Sequence, residues 1–268
     1  MSIKSAYVTG LRLHFKRTPI FVNHNFPKLV RPPAYRAVSE EIRQAILSGE
    51  LQAGELLPTE IELAEQFGVT RSTLREAIRI LEDSGIIGRA DRKWLIVTLP
   101  KTSTVGRSVS SAMVMHRVTF KELWQVAMGL EPLAGKLACE SATEEEKEKL
   151  AKNLQHTANV LDDHKQLLDA EIEFHNLVAA ATHNHALLQA RAPLNDLFYP
   201  AWGAVIRALS PGQRILVAHQ HVFDAICNNQ PQDAEKWMEK HMLDFRRGIE
   251  MGNLGFDQPV TTAANNPL

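Results

Sequence analysis

Four side chains in the second half of the sequence belong to types that bind divalent metal ions. Glu171 and His175 are four residues apart in DAEIEFHNLVAAATHN, so on a helix both project from one face. His219 and His241 follow in two later amphipathic segments. One carboxylate and three imidazoles suit Zn²⁺ or Ni²⁺, and a six-coordinate ion keeps positions open for water or a carboxylate. The chain has 11 histidines, however, and most histidines on amphipathic helices are half-buried structural side chains, so both interpretations stand here.

A second set of residues has the chemistry of DNA recognition. Arg71, Arg75 and Arg79 recur every four residues in TRSTLREAIRIL and form a stripe apart from its apolar positions. Guanidinium groups bind guanine edges through paired hydrogen bonds and also hold phosphates. The stripe therefore predicts a recognition helix for the major groove. The alternative is a surface helix with internal charge pairs, because acidic side chains lie close by in the same segment.

The elements that position these arginines are two short helices joined by a tight turn. Thr59 followed by Glu62 predicts a capping box at the start of the first helix. Gly68 ends that helix, and Thr70 is placed to cap the second one. Apolar residues then recur at i, i+3, i+4 and i+7, which is the period of a half-buried helix.

The segment from residue 35 to residue 97 resembles the winged helix-turn-helix of the GntR family of bacterial transcription regulators. GVTRSTLREAIRILEDSGII carries the most specific part of that resemblance. In the family, the positions of Thr70, Arg71 and Arg75 contact DNA, and we predict the same for Ser72. A departure is Ile61, which stands where the family usually has an arginine.

The wing after this helix departs from the family as well. GRADRKWLIVTLP has Arg92 and Trp94 where the resemblance implies glycines. We predict that the segment still forms a hairpin and that Arg92 and Lys93 contact DNA, with Arg89 as a further phosphate contact.

The second half of the chain is similar to the FCD ligand-binding domain of the FadR subfamily of GntR regulators. The similarity is carried by LEPLAGKLA, EFHNLVAAATHN and AHQHVFDAICNNQPQDAEKWMEKHM. Metal-containing members have an aspartate four residues before the FH histidine and two later histidines. The resemblance implies that a metal is held by the matching Glu171, His175, His219 and His241, with glutamate in place of aspartate. His221 would point elsewhere on the same helix.

The resemblance also implies an acidic effector, but with one departure. Ala127 stands where an arginine that helps to hold such effectors is often found. Arg191 and Arg207 are the substitutes we consider. Phe198, Tyr199 and Trp202 are candidates for a ligand cavity, although core packing is the more frequent role of such aromatics.

Composition and segment boundaries indicate an ordinary two-domain globular protein. The chain has 268 residues, a mass of 30.0 kDa and a formal net charge of −1. Its two isolated cysteines predict a reducing cytosolic compartment, and no apolar run approaches the ~20 residues of a membrane span. We predict a basic N-terminal arm without assigned function at residues 1–30, followed by a winged helix-turn-helix domain at 31–100. A linker at 101–115 leads to an all-helical domain at 116–255, and a loose tail follows at 256–268.

These observations predict a mainly α-helical, cytoplasmic bacterial transcription regulator, most simply a repressor, that acts as a homodimer. It would bind a palindromic DNA operator and respond to a small carboxylate metabolite held near a Zn or Ni ion. An alternative of another class is a metal-dependent hydrolase with a DNA-binding-like domain. No carboxylate or hydroxyl stands out as a general base beside the histidines, so we do not expect an enzyme.

Overall fold

A computed structural model describes residues 32–91 and 94–260 of the chain, with only the backbone described at residues 200 and 201. The predicted N-terminal arm, Arg92 and Lys93, and residues 261–268 of the predicted tail lie outside the described residues. The described part is mainly α-helical, as the sequence predicted. None of its helices is long and apolar enough to cross a lipid bilayer.

The first unit is a three-helix winged helix-turn-helix. It contains α1 (Ala34–Leu47), α2 (Glu60–Gln66) and α3 (Arg71–Asp83). Thr59 and Glu62 form the predicted capping box of α2, and the Thr70 side chain caps α3 by accepting from the Thr73 amide at 3.2 Å. The apolar stripe of α3 is fully buried against α1, so its arginines face outward.

The wing is a two-stranded antiparallel hairpin, as predicted. Strand β1 (Ile87–Arg89) pairs with β2 (Leu95–Val97), with Ile87 opposite Val97. Leu95 and Val97 point into the core of the unit, and their neighbour Ile96 is only partly buried. This alternation fixes the register, because a slip of one residue would turn the apolar side chains outward.

Residues 101–115, predicted as a linker, form helix α4 (Thr102–Met115). Its serines, threonines and glycine are weak helix formers, but tertiary packing overrides that preference. Gly106 permits close approach to the next domain, since a Cβ there would lie 3.1 Å from the Cβ of Ala192. Ser110 is buried and donates to Asp196 Oδ2 at 3.0 Å.

The rest of the chain forms the predicted helical bundle. Its long central helix, Phe120–Ser141, packs chiefly along the last helix, Pro231–Met251, which in turn packs against the helix before it, Gly212–Cys227. A single π-helical turn, Leu194–Phe198, connects the helix His185–Pro193 to the helix Tyr199–Leu209. The bundle helices are α5 (Phe120–Ser141), α6 (Glu144–Asn159), α7 (His164–Ala180), α8 (His185–Pro193), α9 (Tyr199–Leu209), α10 (Gly212–Cys227) and α11 (Pro231–Met251).

The described start of the predicted loose tail is ordered against the bundle, which corrects that prediction for residues 256–260. The Lys121 amide donates to the Phe256 carbonyl at 2.9 Å, and the Val260 amide donates to the Val118 carbonyl at 2.8 Å. Phe256 packs edge-on against Trp124, and Val260 is buried. Two apolar side chains and this short ladder of backbone hydrogen bonds hold the segment on the start of α5.

Candidate functional site

The four metal ligands predicted from the sequence meet in the interior of the bundle. Glu171 and His175 lie on α7, His219 on α10 and His241 on α11, and all four are buried. One donor atom from each lies within 4.8 Å of the others. Glu171 is at the centre, with Oε1 2.9 Å from His241 Nε2 and Oε2 3.2 Å from His219 Nε2. His175 Nε2 lies 3.5 Å from Glu171 Oε1.

The donor atoms of this cluster are left short of hydrogen bonds. Glu171 Oε2 and His175 Nε2 are buried and have no hydrogen-bond partner, although both face the other ligands. Burying such groups unsatisfied costs free energy, typically about 1–3 kcal/mol each. A divalent cation would bind Glu171 Oε2 and, once His175 has lost its Nε2 proton, His175 Nε2 as well. One carboxylate with three imidazoles is a donor set of the right chemistry. The residues present therefore fit a metal ion.

Aromatic packing fixes the orientation of the histidines. The ring of Phe174 stacks on that of His219, with centroids 3.6 Å apart and planes 10° from parallel. His221 follows two residues after His219 and turns outward, where it stacks on Trp237 with centroids 3.7 Å apart. His221 is therefore no member of the cluster, as predicted.

Glu131 on α5 is a central residue that the sequence analysis missed. It is fully buried and accepts from His175 Nδ1 at 2.9 Å, from the Tyr199 hydroxyl at 2.7 Å and from Arg191 Nε at 3.1 Å. Arg191 also donates to Asn176 Oδ1 at 2.8 Å. Periodicity could have revealed Glu131, because it occupies the buried stripe of α5 where every other position is apolar or small.

Charges in this network determine which groups carry protons. Burial by itself raises the pKa of Glu131, but Arg191 and His175 outweigh it and hold that pKa at about 2. Burial would lower the pKa of His175, yet Glu131 raises it to about 9. Burial lowers the pKa of His219 to about 4, whereas the neighbouring imidazoles outweigh burial and hold the pKa of Glu171 well below its usual value. Without metal at neutral pH, His175 is protonated and His219 is neutral.

The residues considered for effector binding lie in different environments. Arg191 is buried and engaged with Glu131, whereas Arg207 is exposed on α9. Phe198 and Trp202 belong to the aromatic core, and Tyr199 joins that core to the Glu131 network. Trp202 also lines a small cavity of about 10 Å³ that touches His241 and Arg214, and its buried Nε1 has no hydrogen-bond partner.

The predicted DNA-contacting residues of α3 and its cap lie together on the exposed side of the first unit, whereas Arg92 and Lys93 lie outside the described residues. Arg71 and Ser72 are exposed at the start of α3, next to the capping Thr70. Arg75 is exposed one turn later and donates through Nε to Glu60 Oε2 at 2.8 Å. Arg89 of the wing reaches the same glutamate. Ile61, the departure noted in the sequence, is a half-exposed apolar side chain beside this surface.

Comparison with known proteins assigns both halves of the chain. Residues 34–96 match the model for bacterial regulatory proteins of the gntR family, and residues 122–244 match that of the FCD domain. The chain belongs to the GntR family. The chain is 28% identical to the HTH-type transcriptional repressor NanR of Cronobacter sakazakii over 219 residues, which span 80% of this chain and 84% of that protein.

Two further comparisons agree with this assignment. The uncharacterized HTH-type transcriptional regulator YdhC of Bacillus subtilis is 28% identical over 220 residues, covering 80% of this chain and 90% of that protein. A solved GntR structure from Streptococcus agalactiae shares the fold with a TM-score of 0.56 and 24% identity, over 80% of this chain and 99% of that one.

The family defines the activity in general terms. The chain is a DNA-binding transcription regulator with an FCD domain for a small-molecule effector, and it is not an enzyme. The alternative of a metal-dependent hydrolase finds no support among the relatives, which are transcription regulators.

Proposed function

We propose that the bundle holds a divalent metal ion, Zn²⁺ or Ni²⁺, through Glu171, His175, His219 and His241. The observation that carries the proposal is the meeting of these four buried side chains, with Glu171 Oε2 and His175 Nε2 facing the others and lacking hydrogen-bond partners. Glu131 would orient His175 by accepting from Nδ1, which leaves Nε2 as the ligand atom. This arrangement is the common one for a metal-bound histidine, whose second nitrogen donates to a carboxylate.

The effector that fits this site is a small carboxylate metabolite. The bound ion would supply positive charge and coordination positions for a carboxylate in a water-poor interior. The cavity beside His241 is also lined by the exposed Arg214 and by Trp202, whose buried Nε1 donor has no hydrogen-bond partner. Asp244 lines the same cavity, but its carboxylate is paired with Arg247 at 3.0 Å, so Arg214 and Trp202 are the groups that would attract an anion. At about 10 Å³ this cavity has room for a single water, so the neighbouring helices would separate when an effector enters.

On the DNA side, we propose a cytoplasmic homodimer of the FadR subfamily that represses transcription from a palindromic operator. Thr70, Arg71, Ser72 and Arg75 of α3 would enter the major groove, and Arg92 and Lys93 of the wing would contact the backbone. Two copies related by a two-fold axis would read two half-sites, which is why a palindrome is expected. The relatives that are named as repressors support repression rather than activation.

The two activities would be coupled by a shift between two arrangements of the bundle. An effector can shift this balance only through different affinities for the two arrangements, and typical coupling free energies are about 1–3 kcal/mol. Helix α4 follows the wing in the chain and packs on α8, which carries Arg191 of the metal-site network. Movement of α8 on effector binding would therefore reach α4 directly.

The decisive test of the metal is elemental analysis of untagged protein purified without chelator. We expect about one equivalent of metal per chain in the wild type and in His221→Ala, and little in His219→Ala. The two histidines are two residues apart on one helix, but only His219 faces the cluster, so the pair controls for the loss of an imidazole. Absence of metal from wild type reloaded with Zn²⁺ or Ni²⁺ would refute the site.

The DNA proposal has its own test. Arg71→Ala and Arg75→Ala should each weaken operator binding, and log affinity of the wild type should fall linearly with log salt. Unchanged affinity in both variants would remove α3 from the role of recognition helix.

A further inference from the structure

Glu60 connects three parts of the DNA-binding unit through one carboxylate. It is the first residue of α2, and its side chain is only 15% exposed. Its Oε2 accepts from Arg75 Nε of α3 at 2.8 Å, and its Oε1 accepts from Arg89 Nη2 of the wing at 3.1 Å. Hydrogen bonding by Arg75 lowers the pKa of Glu60, so the carboxylate is charged at neutral pH.

The hydrogen bond between Arg75 and Glu60 uses Nε of the guanidinium and not its two terminal nitrogens. Within the described part of the chain, the two terminal nitrogens of Arg75 make no hydrogen bond. Those nitrogens form the fork that donates two parallel hydrogen bonds to guanine O6 and N7. The side chain is still 65% exposed, so the fork can reach a partner outside the protein.

The other arginines of the α3 stripe differ from Arg75. Arg71 and Arg79 are exposed, and neither has an ion pair or hydrogen-bond partner among residues 32–91 and 94–260. A guanidinium without a protein partner suffices for a phosphate, whose oxygens accept hydrogen bonds from several directions. Bidentate reading of a base needs a fork held in one orientation, because loose positioning loses the second hydrogen bond.

We propose that Glu60 is a positioning residue that makes Arg75 the guanine-reading arginine of α3. It contacts no DNA in this role and acts through the orientation of the Arg75 fork. The inference rests on the proposed recognition helix and deepens it by naming which arginine carries sequence specificity. The competing role for Glu60 is to mask Arg75 by charge, in which case its removal would simply strengthen DNA binding.

The test is selection of binding sites from a random duplex library by the full-length wild type, Glu60→Gln, Arg75→Ala and Glu82→Gln. Glu82 accepts from Arg89 Nε at 2.8 Å without contacting Arg75, so Glu82→Gln removes a charge and a wing contact from the same surface as a matched control. We expect one G·C pair per half-site to be fixed in the wild type and Glu82→Gln, and relaxed in both Glu60→Gln and Arg75→Ala.

Affinities for the selected operator and for a copy with that pair changed give the magnitude. The wild type should discriminate by about fivefold or more, which is the lower limit for one bidentate contact. Glu60→Gln should lose most of that ratio, and Glu60→Gln combined with Arg75→Ala should lose no more than Arg75→Ala alone. Thermal melts of each variant establish that the fold is intact.

Three outcomes would overturn the inference, and they can be told apart. Tighter binding by Glu60→Gln with an unchanged G·C preference would show masking rather than positioning. Unchanged base preferences in Arg75→Ala would remove Arg75 as a reader and Glu60 with it, while leaving DNA binding in place. Failure of the wild type to enrich any sequence would refute the proposed operator recognition itself.

Discussion

Replacing Glu131 by glutamine should weaken metal binding although residue 131 is not a ligand. Glu131 Oε2 accepts the Nδ1 proton of His175, which leaves Nε2 free of a proton when a metal binds. A glutamine side chain of the same shape keeps one acceptor oxygen for Arg191 and Tyr199, but it then presents an N–H group to Nδ1. His175 would have to accept there and carry its proton on Nε2, the atom that faces Glu171.

Two magnitudes follow from these contacts. Loss of a carboxylate that orients a metal-bound histidine typically lowers metal affinity about 10- to 100-fold. The metal-free protein should also lose about 3 kcal/mol of unfolding free energy, because the buried Arg191 cation loses its only carboxylate partner among the described residues. Tyr199→Phe is the matched control, since it removes the hydrogen bonds that the hydroxyl donates to Glu131 and accepts from Arg191, and leaves the carboxylate charge in place. It should cost about 1–3 kcal/mol and leave the His175 tautomer unchanged.

The assay is competition for Zn²⁺ against a chelator of known affinity, alongside urea unfolding of the metal-free proteins. The expected order of zinc affinity is wild type, then Tyr199→Phe close to it, then Glu131→Gln at least tenfold weaker. Equal zinc affinity in wild type and folded Glu131→Gln would refute the assignment of the His175 tautomer to Glu131. An equal loss in both variants would mean that packing, and not the carboxylate, holds the ring.

Three further predictions concern protonation, packing and capping. Because the pKa of His175 is raised to about 9 from an ordinary 6.5, its stabilisation of the metal-free protein is complete below pH 6.5 and lost as pH rises through 9. Denaturation of the metal-free protein should show that the free energy of unfolding falls by up to about 3 kcal/mol across that pH window. Calorimetry in buffers of different ionisation enthalpy should show that about one proton is released per metal bound at pH 7. Gly106→Leu should lower the unfolding free energy by about 1–3 kcal/mol, because the added side chain would push α4 away from Ala192. The control Gly129→Ala, at an open helix position, should raise it by about 0.5–1 kcal/mol. Equal shifts of the two variants in thermal melts would contradict this prediction. Thr59→Ala removes the capping box of α2 and should cost about 0.5–2 kcal/mol, and no change in the urea midpoint would show that tertiary contacts alone hold α2.

Features set by neighbours along the chain were predictable from the sequence. The capping box of α2, the cap of α3 and the outward arginine stripe all depend on residues within four positions of each other, and the structure has each of them. The pairing of Glu171 with His175 on one face of α7 is of the same kind, because one turn of helix brings them together. Their grouping with His219 and His241 was one of two open interpretations of the residue types, and the resemblance to the FCD domain, not spacing, favoured it.

Tertiary packing decided the features that join distant parts of the chain. Glu131 meets His175 from 44 residues away and Arg191 from 60 residues away, and no local pattern states which buried cation a buried carboxylate will face. The helical state of residues 102–115 was likewise decided by packing on α8, against the weak propensity of its serines and threonines. The same holds for Phe256 and Val260, which are ordered by their contacts with the start of α5. Sequence spacing fixes which side chains share a helix face, while the docking of α5, α7, α8, α10 and α11 determines which faces meet and so creates the cluster.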